Sequence, residues 1–219
     1  MLETLQILLE AELSKPFAES DPLPQPQSWV DEAREEGLTL CRITFSDPMR
    51  SAPDLRSEMK EEVERACILF GAEDPSEVPE ERFYSRLRSV RRFVGDRAML
   101  RTIHCYEEHR RISKQLAALR ENDLPEFLCP VREGAHSDWM LAQTTIPAGE
   151  VEQQPIAFAQ ILAERVLGTE GAVRREPTQP AALLALVPLA LEQELRQTLE
   201  TAMGESMSVE TITSSSVNL

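Results

Sequence analysis

Lysine is nearly absent from this 219-residue chain, with Lys15, Lys60 and Lys114 its only examples. No Gly-x-x-x-x-Gly-Lys-Ser/Thr run occurs, which excludes a Walker-type nucleotide loop. Glycine is scarce as well: there are eight, none adjacent to another. No apolar run approaches the length of a membrane span. The apolar patch at residues 5–9 has acidic neighbours and no basic leader, so neither a spanning helix nor a secretory signal is expected. Cys41, Cys67, Cys105 and Cys129 include no Cys-x-x-Cys pair. That spacing argues against a disulfide framework or a zinc site and for single buried thiols in a reducing cytoplasm. Positive charge is in deficit, 23 basic against 38 acidic residues, and the net charge of -15 repels phosphate backbones and anionic lipid. Nucleic-acid and membrane partners are therefore not expected.

What is present suits one sizeable domain with an N-terminal appendage, since 42% of the residues are hydrophobic and can supply a core. Leu2, Leu5, Leu8 or Leu9, and Leu13 recur at helical spacing, predicting an amphipathic helix over residues 1–17. Pro22, Pro24 and Pro26 follow as a semi-rigid connector, and a short polar helix at residues 29–36 ends at Gly37. Residues 1–36 form the appendage and 37–219 the domain. Alternation at 38–45 predicts the first strand. Next come three predicted helices: 54–71, with Glu58, Glu61, Glu62 and Glu64 on a solvated face; 79–94; and 95–121. Asn122 or Asp123 caps another, and Pro155 opens one that Gly168 closes. A short strand from Gly171, a polar double-proline connection, an apolar strand at 181–187, an acidic helix at 189–203 and a last strand at 207–213 complete the chain. The expected class is α+β, an antiparallel sheet of about four strands with helices packed on it.

Few residues suggest chemistry. Arg82, Arg86, Arg88, Arg91 and Arg92 form the one basic cluster, which pairs with the acidic helix before it or serves an anion or partner. His104 and Glu108 are four apart and share a helix face. His104 and His109 are five apart and do not, which favours structural histidines over metal ligands. His136, Ser137 and Asp138 are the residue types of a hydrolase triad, but adjacent positions cannot form a relay, and helix capping by Ser137 or Asp138 is the expectation.

Several segments in order are similar to the galactokinases of the GHMP kinase superfamily. They are Gly95-Asp96-Arg97-Ala98, Glu107 to Ile112, Ser137-Asp138-Trp139-Met140-Leu141, Glu152-Gln153-Gln154-Pro155, Gly171-Ala172-Val173-Arg174 and Leu184-Ala185-Leu186-Val187-Pro188. The collinear match resembles the C-terminal half of the bacterial branch and implies the fold of that half. Where such galactokinases carry a glycine-rich loop, this chain has Arg175, Glu176, Pro177, Thr178, Gln179 and Pro180. Two prolines remove N–H donors and Glu176 adds negative charge, so the loop is not a phosphate cradle. The sugar-binding, phosphate-loop and catalytic segments that the resemblance implies for an N-terminal domain are not found in these residues.

The resemblance therefore implies a degenerate galactokinase-like protein without kinase activity of its own, with no catalytic residue, no metal ligand and no cofactor. ATP and magnesium would be used only if activity survives. The alternatives are half of a split ATP-dependent sugar kinase, or a non-catalytic module that senses a sugar or nucleotide or binds a partner. A homodimer or protein partner could use the face that an N-terminal domain would otherwise cover, and an apolar patch there covered by residues 1–17 would instead favour a self-contained monomer.

Overall fold

The computed structural model describes residues 2–21, 23–46, 55–145, 152–176 and 181–214, the side chain of Arg56 excepted. Four strands form one sheet in the order β2-β3-β1-β4, with every neighbouring pair antiparallel. They are β1 (Leu38–Phe45), β2 (Ala172–Arg175), β3 (Ala182–Pro188) and β4 (Met207–Thr211). The helices are α1 (Glu3–Leu13), α2 (Val30–Glu35), α3 (Leu55–Ile68), α4 (Glu80–Ser85), α5 (Leu87–Arg120), α6 (Leu124–Ser137), α7 (Pro155–Leu167) and α8 (Glu192–Met203). The α+β class expected from the sequence is the class observed.

Both faces of the sheet are covered, and the period-two alternation of the strands decides which residue meets which helix layer. Leu40, Leu184, Leu186 and Ala172 join a core made with α1, α2, α5 and α6, through Leu5, Leu9, Ala33, Ile112, Phe127 and Val131. Cys41, Ile43, Val173, Leu183, Ala185 and Val187 face the other way, onto Ile156, Ala159 and Ala163 of α7 and Leu195 and Leu199 of α8. The near-continuous apolar run of β3 is what a central strand buried on both faces requires. A third cluster, including Val63, Cys67, Phe83, Val90, Met99 and Tyr106, joins α3 to α4 and α5 beside the sheet.

The boundaries depart from expectation in instructive places. The helix predicted over 79–94 breaks at Arg86, whose φ of -114° and ψ of 11° end α4. Beyond it, α5 runs through Gly95 with φ 83° and ψ 175°, a kink that glycine tolerates at no steric cost. Asp123 does cap α6, its carboxylate accepting from the Glu126 N–H at 3.0 Å. Ser137 and Asp138 do not cap a helix N-terminus. They end α6 and begin one π turn over Asp138–Ala142, and their side chains are used elsewhere. Among the described residues no helix is long and apolar enough to cross a membrane.

The N-terminal residues are tied down along their length. Glu32 of α2 accepts from the Thr4 N–H and hydroxyl at the start of α1. Asp74 accepts from the Phe17 and Ala18 N–H groups at 2.9 and 3.1 Å. The Phe17 ring stacks on His109 at 4.0 Å between centroids, and the Trp29 indole donates to the Pro24 carbonyl at 2.8 Å. Side chains thus match the backbone groups of Phe17, Ala18 and Pro24, as buried backbone requires.

Candidate functional site

The densest polar constellation is buried where β2, α5 and the end of α6 meet. Arg174 follows Ala172 and Val173 in the four-residue strand β2, and the strand sends it toward α5 and α6. Its Nη1 and Nη2 donate to the two Glu108 oxygens at 2.7 and 2.8 Å. Its Nε and Nη2 donate to the two Asp138 oxygens at 2.7 and 3.0 Å. Arg111, one turn on from Glu108, adds Nε and Nη2 bonds to Glu108 Oε2 at 3.2 and 3.0 Å. His104 lies one turn before Glu108, its Nδ1 hydrogen-bonded to the Ser137 hydroxyl at 2.9 Å. Gly134 makes room for all of this, because a Cβ there would lie 2.3 Å from Arg174 Nη1.

The electrostatics follow from burial and pairing. Burial alone would raise the Glu108 carboxyl. The charge and hydrogen bonds of Arg174, with Arg111 behind it, outweigh that and hold it at about 2. Burial likewise disfavours the Arg174 cation, but Asp138 and Glu108 raise it well above its ordinary value. His104 goes the other way: desolvation lowers its pKa, and the attraction of Glu108 and Asp138 does not restore it.

One oxygen of each carboxylate and a ring nitrogen of His104 lie within 4.8 Å of one another, a set that matches metal ligands in type. Both carboxylates, however, are already engaged by guanidinium donors on both oxygens, and a divalent ion would have to displace Arg174 from each. The cluster's chemistry is that of a bidentate clamp joining three elements rather than of an acid–base pair. A fully buried, strongly ionised carboxylate is also a poor proton acceptor.

These bonds set a pH dependence. Glu108 is at about 2 in the fold against its ordinary 4.5, so its contribution is complete above 4.5 and is lost as pH falls toward 2. His104 is below its ordinary 6.5 in the fold, so the unfolded chain takes its proton first and stability also falls as pH drops below 6.5. Both act in one direction, and the urea midpoint is expected to decline on acidification from neutrality, most steeply below the ordinary carboxylate range. A midpoint that stays level between about pH 7 and about pH 4 would contradict this.

The sequence-selected residues scatter around this cluster rather than converge. Glu176 is buried, and Arg42 donates to its two oxygens from Nε and Nη2 at 2.6 and 2.8 Å. Its charge is thus matched by a β1 arginine. Arg175 is half-buried at the end of β2, and Pro177, Thr178, Gln179 and Pro180 lie outside the described residues. His136 pairs with Glu164 of α7 at 3.0 Å, away from Ser137 and Asp138, so the three neighbours go to three different partners.

Among the described residues, no ion pair joins the basic cluster to the acidic helix before it. Glu58 and Glu62 of α3 take Arg97 and Arg101 instead, and Glu62 is buried rather than solvated. Arg82 and Arg86 lie over the Phe70 ring at 5.7 and 5.0 Å, and Arg91 pairs with Asp96. An open groove of about 490 Å³ runs between α5 and α6 above the Arg174 cluster. Its cations Arg110, Arg111 and Lys114 all have carboxylate partners.

Sequence reasoning missed the Arg174 cluster. The available signal was a pair of arginines directly after the apolar start of a short strand, together with the His104/Glu108 pair on one face of α5.

These layers and this sheet order define a galactokinase-like fold. The galactokinase of Lactococcus lactis, solved in complex with galactose, matches with a TM-score of 0.61 at 16% identity, over 80% of this chain and 45% of that one. The chain thus spans under half the length of that enzyme. No family model matches the sequence, and no curated protein matches it.

Proposed function

We propose that the chain is a non-catalytic galactokinase-like protein, corresponding to the C-terminal half of the bacterial enzymes, that acts in the cytoplasm by binding rather than by phosphoryl transfer. Phosphoryl transfer requires groups that neutralise the phosphates and orient the attacking hydroxyl. The observation that carries the reading is the closure of the Arg174 clamp: Glu108, Asp138 and Arg174 satisfy one another in the interior and leave none of the three for substrate. The Arg42–Glu176 pair at the exit of β2 supports it, since it places a neutralised carboxylate where the strand leads into the proline-containing connection.

The test is titration calorimetry with magnesium-ATP and with galactose, separately and together, followed by a coupled assay of ADP release. No ADP release above the protein-free rate is expected. Galactose-dependent ADP release by the purified chain would overturn the proposal.

A further inference from the structure

The densest run of positive charge in this acidic sequence is left largely without counter-charge. Arg82, Arg86, Arg88, Arg91 and Arg92 gather around the break between α4 and α5, in a chain whose net charge is -15. Like charges one helical turn apart, as Arg88 and Arg92 are, repel each other and weaken a helix. Carboxylates would relieve that, and the neighbouring helices carry several. Those that form ion pairs take other arginines: Glu80 takes Arg110, and Glu58 and Glu62 take Arg97. Among the described residues Arg91 alone of the five has an acidic partner, Asp96.

Three of these arginines converge. Arg86, Arg88 and Arg92 line one open groove of about 250 Å³, together with Ser85 and Ser89. The serine hydroxyls donate to the Arg82 and Arg86 carbonyls at 2.8 Å, so the donors open to a ligand are those of the guanidinium groups. Arg86 is held in place. Its guanidinium lies over the Phe70 ring at 5.0 Å, and its Nη1 donates to the Leu69 carbonyl at 3.3 Å, which leaves most of its N–H donors open. Arg88 and Arg92 are exposed and make no side-chain hydrogen bond or ion pair among the described residues. One fixed guanidinium thus stands beside two uncommitted ones.

We propose that this groove binds a small phosphate-bearing anion, a phosphate monoester or a diphosphate, through Arg86, Arg88 and Arg92. Guanidinium forks match phosphate oxygens in pairs. A carboxylate carries a single charge on two oxygens, whereas a terminal phosphate spreads about two charges over three oxygens, one for each guanidinium. The groove is smaller than the about 300–1,000 Å³ of sites that enclose drug-sized ligands, so it takes the anionic group rather than a whole nucleotide. The field of the chain selects for small size as well. Charges are screened beyond about 8 Å at physiological ionic strength, so an anion in the groove feels the arginines and little of the acidic remainder. A nucleic acid or a bilayer extends past the cluster and meets that remainder. The inference goes beyond the proposed loss of catalysis and does not depend on it.

Inorganic pyrophosphate without magnesium is the probe, titrated calorimetrically into the full chain at about 0.15 M salt. Saturable binding is expected, with none for acetate. Arg88→Gln with Arg92→Gln is expected to weaken it at least about tenfold while the circular dichroism spectrum stays unchanged, since both positions are exposed. Arg91→Gln removes the same charge as Arg92→Gln from the adjacent position, but its side chain belongs to Asp96 and does not line the groove. It is expected to change affinity by no more than about twofold. No saturable heat at millimolar pyrophosphate would overturn the proposal, as would undiminished binding by the double variant. Equal losses from Arg91→Gln and Arg92→Gln would also overturn it, because they would show a diffuse charge effect instead of a site. Sedimentation with phosphatidylcholine vesicles containing phosphatidic acid, whose headgroup is a phosphate monoester, separates the two sources of that group. The chain is expected to stay in the supernatant, and co-sedimentation would replace the small anion with a membrane surface. Neither nucleotide nor sugar is present, so the outcome is separate from that of the kinase assay.

Discussion

Arg174→Met is expected to destabilise the protein by about 3–5 kcal/mol, against a total of about 5–15 kcal/mol for a typical domain. Methionine retains much of the aliphatic stem, so packing between β2 and α6 changes little. The loss is electrostatic. Glu108 would keep only Arg111, and Asp138 would lose both of its guanidinium bonds while 7% exposed. The penalty is that of a broken buried pair, which far exceeds the net value of an intact one. Two readouts separate this from a packing defect. The deficit should shrink as pH falls below about 5, because the stranded carboxylates are then protonated at lower cost. Adding Glu108→Gln and Asp138→Asn to Arg174→Met should recover part of the stability, since the stranded charges are then gone. Urea unfolding of the single and triple variants against pH gives the result; an Arg174→Met deficit that is the same at all pH values and is untouched by the carboxylate changes would show that the clamp is not electrostatic.

The parts of the fold legible in the sequence were those set by a periodic signal. Strand β1 is legible as residues 38–45, the span observed, because its apolar and polar side chains alternate and Gly37 marks its start. Helix stops at Gly168 and Gly204 were legible because both adopt positive φ, 55° and 62°, where a side chain is strained. The break at Arg86 carried no such mark, since neither glycine nor proline stands there. The candidate site was least legible. Ser137 and Asp138 look like helix-start residues, and only the arrival of His104 and Arg174 from distant positions assigns them other work. Glu62 looked like one of several solvated glutamates until α5 brought Arg97 and Arg101 against it. Pairings between residues tens of positions apart leave no local pattern, whereas a strand or a cap does.

Leu5→Ala with Leu9→Ala is the second change expected to have a large effect, and it bears on whether residues 1–36 are an appendage to 37–219. Both leucines are fully buried, in the same core cluster as Leu40, Leu184 and Leu186 of the sheet and Ile112 of α5. Leu-to-Ala changes at such sites cost about 2–5 kcal/mol each, from lost transfer energy and the cavity left behind. One helical turn apart, the two share neighbours and will not be strictly additive. Were α1 a clip on an independent body, the double variant would release it and leave the rest with nearly its native urea midpoint. The structure favours the other outcome. With α1 detached, the apolar face formed by Leu40, Leu184, Leu186 and Ile112 loses Leu5 and Leu9 as cover, and exposed apolar area costs about 25 cal/mol per Å². A single cooperative transition at a much lower urea midpoint is therefore expected, seen alike by circular dichroism and, in a Trp139→Phe background, by the fluorescence of Trp29, which is buried in that same cluster. Two separated transitions, with the indole signal lost first, would restore the appendage and set the boundary near residue 36.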